Sequence, residues 1–165
     1  DGVGPGMRLI TNGAGTMDLD VTNNTVTTAN ANLGLEFLAR DGSSKLKAVI
    51  TGNTITLTNS TASHGIQINS GAVTTDETNV CVKIGGTTLS EKNTISNAAS
   101  VITMQSHIRV RNRFAGTIFG IQDLSPNPTS NTADVISFIT ARNVFLETAF
   151  VTATVNSNQF TACIP

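Results

Sequence analysis

The chain contains no tryptophan and no tyrosine, only two cysteines, and few charged side chains. Charged residues make up 13% of its 165 residues, which is about half the usual share. The net charge of -1 offers no electrostatic attraction for nucleic acid or for an anionic membrane. No apolar run approaches the roughly 20 residues that a membrane-spanning helix needs. These absences argue against nucleic-acid binding and against membrane insertion.

The two cysteines, Cys81 and Cys163, leave two interpretations open. They are either buried free thiols or one disulfide that ties the C-terminal tail to the body of the protein. A disulfide is plausible only in an oxidising compartment. No Cys-x-x-Cys pair and no Cys/His cluster suggests zinc, so we expect no metal and no cofactor.

Threonine and asparagine, by contrast, supply about a quarter of the chain. β-Branched residues favour strands, whereas asparagine and glycine tolerate the left-handed conformations of tight turns. The composition therefore predicts an all-β protein in which short strands alternate with turns.

A repeat of about 30 residues is visible in the sequence. The segment VTNNTVT at residues 21–27 recurs as ITGNTIT at residues 50–56, and each copy follows a glycine-led aliphatic strand, at residues 6–10 and 34–38. A looser third copy occurs at residues 65–68 and 80–88, a further echo follows at residues 93–96, and a fourth copy begins at residue 108. The pattern then continues in two strand-like segments, 135–140 and 150–155. Such a repeat predicts coils that bury their apolar faces by stacking.

Parallel stacking would place each residue over its equivalent in the next coil. One inward column is then Met7, Leu35, Ile66 and Ile108. The outward column beside it is Arg8, Glu36, Gln67 and Arg109. Aligning Leu19 with Ala48 also sets Asp18 beside Lys47. Neither alignment brings like charges together on adjacent strands, as a stable sheet requires.

Asn24 and Asn53 occupy equivalent turn positions in the first two coils. Asparagine side chains stacked in this way can hydrogen-bond to one another in a ladder. The alternative is that asparagine is simply a favourable turn residue. Because the flanking residues repeat as well, we expect a ladder.

These segments resemble the right-handed parallel β-helices of large bacterial secreted and surface proteins. The resemblance rests on the repeated aliphatic-Thr-Gly/Asn-Asn-Thr-aliphatic phrase, on CVKIGG at residues 81–86, and on the arginine-rich IRVRNRF at residues 108–114 with residues 133–143. It implies one β-solenoid domain over residues 1–165, with regular coils to about residue 100 and less regular coils and strands beyond. This fold carries adhesins, tailspikes and polysaccharide-degrading enzymes, so it does not choose a function.

No catalytic constellation is evident. Hydrolases of this fold need convergent carboxylates, yet the coil next to Asp18 and Asp20 presents Lys47 and Val49. Arg109, Arg111 and Arg113 alternate along a strand and form, with His107, the only concentrated basic patch. This patch is either an anion-binding face for acidic glycans or carboxylates, or a solvated face with Arg109 paired to Glu36.

Rows of threonine, at 25 and 27 and at 54 and 56, allow a third reading as an ice-binding surface, although threonine is also an ordinary strand residue. We see no helix that would cover the first coil, and an uncovered coil invites strand pairing. We therefore expect a non-enzymatic structural or adhesive module, extracellular or on a cell surface, that continues a longer solenoid or stacks end to end as a filament subunit. The alternative is a carbohydrate-binding or carbohydrate-degrading protein of the same fold.

Overall fold

The computed structural model describes residues 4–28, 32–58, 62–97, 106–147, 151–155 and 159–165. Within these residues the protein is mostly β, with three parallel sheets and one short helix. No helix in this part of the chain is long and apolar enough to cross a membrane. The expectation of an all-β protein is thus confirmed at the level of fold class.

Each sheet takes every third strand of the first twelve, so the chain visits the three sheets in rotation. Sheet A consists of β1 (Pro5–Asn12), β4 (Leu33–Arg40), β7 (His64–Ser70), β10 (Ser106–Asn112) and β13 (Val151–Val155). Sheet B consists of β2 (Thr16–Thr22), β5 (Lys45–Thr51), β8 (Asn79–Ile84), β11 (Ile118–Gln122) and β14 (Phe160–Cys163). Sheet C consists of β3 (Thr25–Thr28), β6 (Thr54–Leu57), β9 (Thr94–Asn97) and β12 (Val144–Phe145). We call three consecutive strands a layer, so that β1 to β3 form layer 1 and β13 opens layer 5.

The strand register matches the columns that the sequence predicts. Met7 pairs with Leu35, Leu35 with Ile66, and Ile66 with Ile108. The outward column is confirmed in the same pairings, which set Arg8 beside Glu36, Glu36 beside Gln67, and Gln67 beside Arg109. In sheet B, Asp18 pairs with Lys47.

The inward columns form one continuous hydrophobic core that runs through the layers. Leu35, Phe37, Ile66 and Ile68 are fully buried, and they pack with the inward residues of sheets B and C. The corresponding side chains of layer 1 are only partly buried: Met7, Leu9, Met17, Leu19 and Val26. Since β1, β2 and β3 each pair on one side only, no described strand covers the core at this end of the stack.

A column of glycines begins the strands of sheet A in the first three layers. A Cβ atom on Gly34 would lie 2.4 Å from the carbonyl oxygen of Gly65 and 2.7 Å from the Ile55 side chain. A Cβ atom on Gly65 would meet Ile95 at 2.6 Å in the same way. The glycines therefore let sheet A approach sheet C closely.

An asparagine ladder joins sheets B and C at the turn between them. The Nδ2 atom of Asn24 donates to Oδ1 of Asn53 at 3.0 Å, and Nδ2 of Asn53 donates to Oδ1 of Asn93 at 2.9 Å. Asn93 donates in turn to Asn143, also at 2.9 Å. The last asparagine donates to the carbonyl of Ile139, at the end of the helix described next, at 2.8 Å. The ladder thus extends over four layers, and all its bonds have the same direction.

The segment at residues 135–140 is not a strand, which corrects the interpretation of the sequence. It belongs to α1 (Thr132–Ala141), whose first turn is capped by the Asn131 side chain accepting from the Ala133 amide at 3.1 Å. Val135 and Ile139 are four residues apart and both fully buried, so they form one apolar helix face. A short apolar run does not distinguish this pattern from a buried strand. α1 packs against β13 and contributes to the core at the end opposite to layer 1.

We predict that Asn53→Ala lowers the free energy of unfolding by about 2 to 4 kcal/mol. Asn53 is fully buried, and its loss would leave the Asn24 amide and the Val21 carbonyl without their partners. Urea unfolding measures the effect. The control is Thr54→Ala, which alters the neighbouring exposed side chain and should cost less than about 1 kcal/mol. Equal losses in the two variants would show that the ladder adds nothing.

Candidate functional site

The two cysteines form a disulfide between β8 and β14 of sheet B. Their Cα atoms are 5.9 Å apart, although β11 lies between the two strands. The bond passes over Gly120 of β11, where a Cβ atom would come within 2.6 Å of the Cys163 Cβ. Of the two alternatives open in the sequence, the structure therefore has the disulfide, and Cys163 ties β14 to a strand two layers earlier.

Three arginines line the outward face of sheet A at β10. Arg109 and Arg111 alternate with the buried Ile108 and Val110, and Arg113 follows directly after the strand. All three are partly exposed. The Nε atom of Arg111 donates to Oδ1 of Asn69 at 2.6 Å, and Arg113 stacks over the Phe114 ring at 5.2 Å. The structure thus brings the predicted arginine face together.

Arg109 does not pair with Glu36, contrary to the solvated-face interpretation. The Glu36 carboxylate is buried and accepts from Arg8 at 2.5 Å and from the Gln67 amide at 2.9 Å. Arg109 and Arg111 form no ion pair with any residue that the structure describes. Their positive charge is therefore not balanced by a contacting carboxylate within the described parts of the chain.

His64 holds Arg109 instead. Nη1 of Arg109 lies 2.9 Å from Nε2 of His64, and Nδ1 of His64 lies 2.8 Å from the Ser106 hydroxyl. Arginine has only donors, so Nε2 accepts and Nδ1 carries the proton. Burial, together with the charges of Arg109 and Arg111, lowers the pKa of His64 to about 4. The imidazole is therefore neutral near pH 7 and orients the guanidinium.

His107 lies apart from the arginine face, which corrects its place in the predicted basic patch. It is almost fully buried, its ring is 5.1 Å from the Phe145 ring, and its Nε2 is 3.3 Å from the Glu147 carboxylate. By register it stands where the earlier layers have Gly34 and Gly65, so it points toward sheet C. Its neighbour in sequence, Ser106, is the one that contributes to the site. His64 is the residue that the sequence argument missed, because a Ser-His-Gly segment is typical of a turn.

The carboxylates do not converge. Asp18 and Asp20 share a face with Lys47 and Val49 beside them, as the sequence predicts. Asp76 is buried and accepts from three backbone amides, those of Gly42, Ala72 and Val73, so it stabilises a turn. No cluster of three or more potential metal ligands occurs among the described residues.

Two shallow depressions lie side by side on the outer face of sheet A and share Arg109. The first, of about 300 Å³, lies between Arg8 and Arg109, and it is also lined by Ser63, His64 and Gln67. The second, of about 330 Å³, is lined by Arg109, Arg111, Arg113, Phe114 and Thr154. We call the two together the arginine groove. Its cationic and polar side chains can hold an anion. The Ser106 hydroxyl accepts from Nδ1 of His64 and is fully buried, so the imidazole does not act as its base.

The threonine rows are in register. Thr25 pairs with Thr54, Thr54 with Thr94, and Thr27 with Thr56. Only three of these side chains, at positions 25, 27 and 54, are fully exposed. The regular threonine surface is accordingly small.

Comparison with protein-family models, with curated proteins and with solved structures finds no match for this chain. What the protein does must therefore be argued from its own residues.

We predict that the Cys81→Ala/Cys163→Ala double variant loses about 2 to 4 kcal/mol of unfolding free energy, because the disulfide closes a long loop. Urea unfolding with and without dithiothreitol measures it. The reductant should destabilise the wild type and leave the double variant unchanged, which makes the variant its own control. A wild type that is insensitive to full reduction would contradict this role.

We also predict that His64 makes the protein less stable as the pH falls from about 6.5 to about 4. In this range the unfolded histidine binds a proton whereas the folded one, with its pKa near 4, does not. At pH 4.5 the loss from this group is about 2 kcal/mol relative to neutral pH. Urea unfolding of the wild type and of His64→Gln at both pH values measures the difference, and it isolates His64 from the carboxylates, which titrate in both proteins. Identical pH dependence in the two would refute it.

Proposed function

We propose that the chain is a right-handed parallel β-helix that serves as a non-enzymatic structural or adhesive module of a bacterial extracellular or cell-surface protein. The observation that carries the proposal is the pairing of strands three apart in the chain, in parallel and in register, in three sheets. Crossover connections between parallel strands are almost always right-handed, which supports the handedness. The disulfide supports an oxidising location.

A structural role is supported by the way stability is distributed. The core, the glycine column and the asparagine ladder all run along the stack, so each layer is stabilised mainly by the layers beside it. The buried side chains of Asn53, Asn93 and Asp76 form hydrogen bonds with backbone groups of the turns and strands. An arrangement of this kind suits a rigid, elongated structural element.

The two ends of the stack differ, and this difference supports one-sided assembly. At layer 1, the strands β1 to β3 pair on one side only and Met7 and Leu9 are partly exposed. At the other end, α1 packs on β13, and Thr129 forms an antiparallel bridge with Phe160 of β14. We propose that layer 1 is the surface on which a further layer of strands stacks. The sequence leaves open a filament or a longer solenoid; because α1 packs at the other end, we propose that self-association takes the form of a closed dimer, in which a second copy meets layer 1 edge to edge.

The asparagine ladder also supports layer 1 as the docking surface. Asn24 donates its Nδ2 hydrogens to Thr22 and Asn53, whereas its Oδ1 atom accepts no hydrogen bond from a described residue. This free acceptor faces the open end of the ladder, so a donor from a docked strand can extend it. At the other end the ladder terminates on backbone carbonyls of Ile84 and Ile139.

The assembly state of the purified chain tests this proposal, by light scattering over a range of concentrations together with electron microscopy. We expect a concentration-dependent dimer. Leu9→Lys/Met17→Lys should make it monomeric, because two charges are then placed on the partly exposed core of layer 1. Thr25→Lys/Thr27→Lys adds the same charge at exposed outward positions of the same layer and should leave the dimer intact.

Each alternative result has a defined meaning. A wild type that stays monomeric at every concentration would overturn self-association through layer 1. Long filaments would overturn the one-sided contact, since they need a second open end. Cleavage of a polysaccharide by the pure protein would overturn the non-enzymatic role.

A further inference from the structure

The outward face of sheet A concentrates positive charge. Of the six arginines in the chain, five lie on this face or at its margin: Arg8, Arg40, Arg109, Arg111 and Arg113. Arg8 pairs with Glu36 and Arg40 with Asp41, whereas Arg109 and Arg111 form no ion pair with a residue that the structure describes. The face is therefore cationic although the whole chain has a net charge of -1.

The hydrogen-bonding capacity of this charge is only partly used. Arg109 donates from one terminal nitrogen, Nη1, to His64, and Arg111 donates from Nε to Asn69. No other hydrogen bond of these two guanidinium groups involves a described residue. Each therefore keeps an edge with two N–H donors, the geometry that binds a carboxylate through two parallel hydrogen bonds.

The environment of Arg109 and Arg111 disfavours their charged forms. Burial and the neighbouring Arg109 and Arg113 lower the pKa of Arg111 to about 10, and burial together with Arg113 lowers the pKa of Arg109. The folded protein thus brings cations together at an electrostatic cost, and a bound anion relieves it. The neutral His64 is consistent with this arrangement, since it positions Arg109 without adding a further charge.

The shape of the arginine groove indicates an extended ligand. Its two depressions share Arg109, so a chain that lies along the face contacts Arg8 at one end and Phe114 at the other. Alternate residues of a strand are about 6.6 Å apart, which spaces Arg109, Arg111 and Arg113 regularly. Polar groups of Ser63, Gln67 and Thr154 lie between and beside them. The lining therefore combines cations with groups that can bind hydroxyls.

We propose that the arginine groove binds a linear acidic polysaccharide whose carboxylates are held by Arg109 and Arg111. The ring of Phe114, beside Arg113, provides the one aromatic surface of the groove against which a sugar ring packs. This polysaccharide would be the molecule to which the proposed adhesive module attaches, and the protein binds it without cleaving it. This inference thus rests on the proposed non-enzymatic role, but it does not require self-association, because the groove lies on a side of the stack and not at its end.

Other polyanions fit the groove less well. An acidic peptide docks by adding a strand to a sheet edge or by burying apolar anchors. Arg109 and Arg111 lie on β10, which is paired on both sides, and Phe114 is the only large apolar ring in the lining. Single-stranded nucleic acid is held by a series of aromatic stacking partners, which the groove lacks. A carboxylate-bearing glycan needs only the bidentate donors and the hydroxyl-binding groups that are present.

Isothermal titration with a galacturonate hexamer tests the proposal. We expect binding to the wild type that weakens in about 0.5 M salt, and no binding of a neutral galactose hexamer. Arg109→Gln/Arg111→Gln should weaken binding at least tenfold. Lys45→Gln/Lys47→Gln removes the same charge from exposed positions on sheet B and should change it less than twofold. Arg111→Lys keeps the charge without the planar fork and should weaken binding several-fold, with the fold of each variant checked by circular dichroism.

The outcomes separate the two proposals. Equal weakening by the two double variants, binding of the neutral hexamer, or tighter binding of an acidic peptide or an oligonucleotide of equal charge would each overturn the glycan site. Absent binding in a protein that still dimerises would overturn this inference alone. Binding followed by the appearance of shorter uronate products would keep the site and overturn the non-enzymatic role.

Discussion

The rest of the structure depends on the in-register hydrogen bonding of parallel strands. Adjacent strands lie about 4.8 Å apart, so each side chain meets its equivalent in the next layer at nearly that distance. This spacing suits aliphatic side chains, glycines and asparagines, which stack on themselves as Leu35 and Ile66 or Asn53 and Asn93 do. It excludes stacked like charges, and the chain accordingly places Glu36 beside Arg8 and Lys47 beside Asp18.

The arginine groove depends on the spacing of residues along a strand, in contrast to the spacing between adjacent strands. Along a strand, outward residues are farther apart than residues across strands, so β10 can carry both Arg109 and Arg111. Their neighbours in sheet A are uncharged: Gln67, Asn69, Thr152 and Thr154. The cost is seen in the lowered pKa of Arg111, which burial and the neighbouring arginines cause, and it is borne by the folded state when the group is charged. A neutral histidine can lie beside these arginines without adding a positive charge. Burial and the charges of Arg109 and Arg111 also lower the pKa of His64.

The sequence predicts the repeated part of this protein well and the unrepeated part poorly, for physical reasons. Columns such as Met7, Leu35 and Ile66 are visible because stacking forces equivalent residues to be alike. α1 is not visible, because it interrupts the repeat and the apolar run that includes Val135 and Ile139 fits a strand as well as a helix. The position of His107 in the chain predicts a place on the arginine face, yet its side chain is at the start of β10 in register with Gly34 and Gly65 and packs against Phe145. The role of His64 depends on Arg109 and Ser106, both on β10, which local sequence cannot reveal.

The glycine column determines where the chain can change its length. Gly6, Gly34 and Gly65 give the first three layers the same close approach of sheets A and C, and Asn24, Asn53 and Asn93 give them matching turns. A whole unit of about 30 residues can therefore be duplicated or deleted among these layers with both joints preserved. In the fourth layer His107 fills the space against Phe145, so a unit inserted there finds no matching neighbour. Such a change of length would keep Arg109 and Arg111 at a constant distance from the end where α1 packs, but it would alter the separation of Arg8 from Arg109.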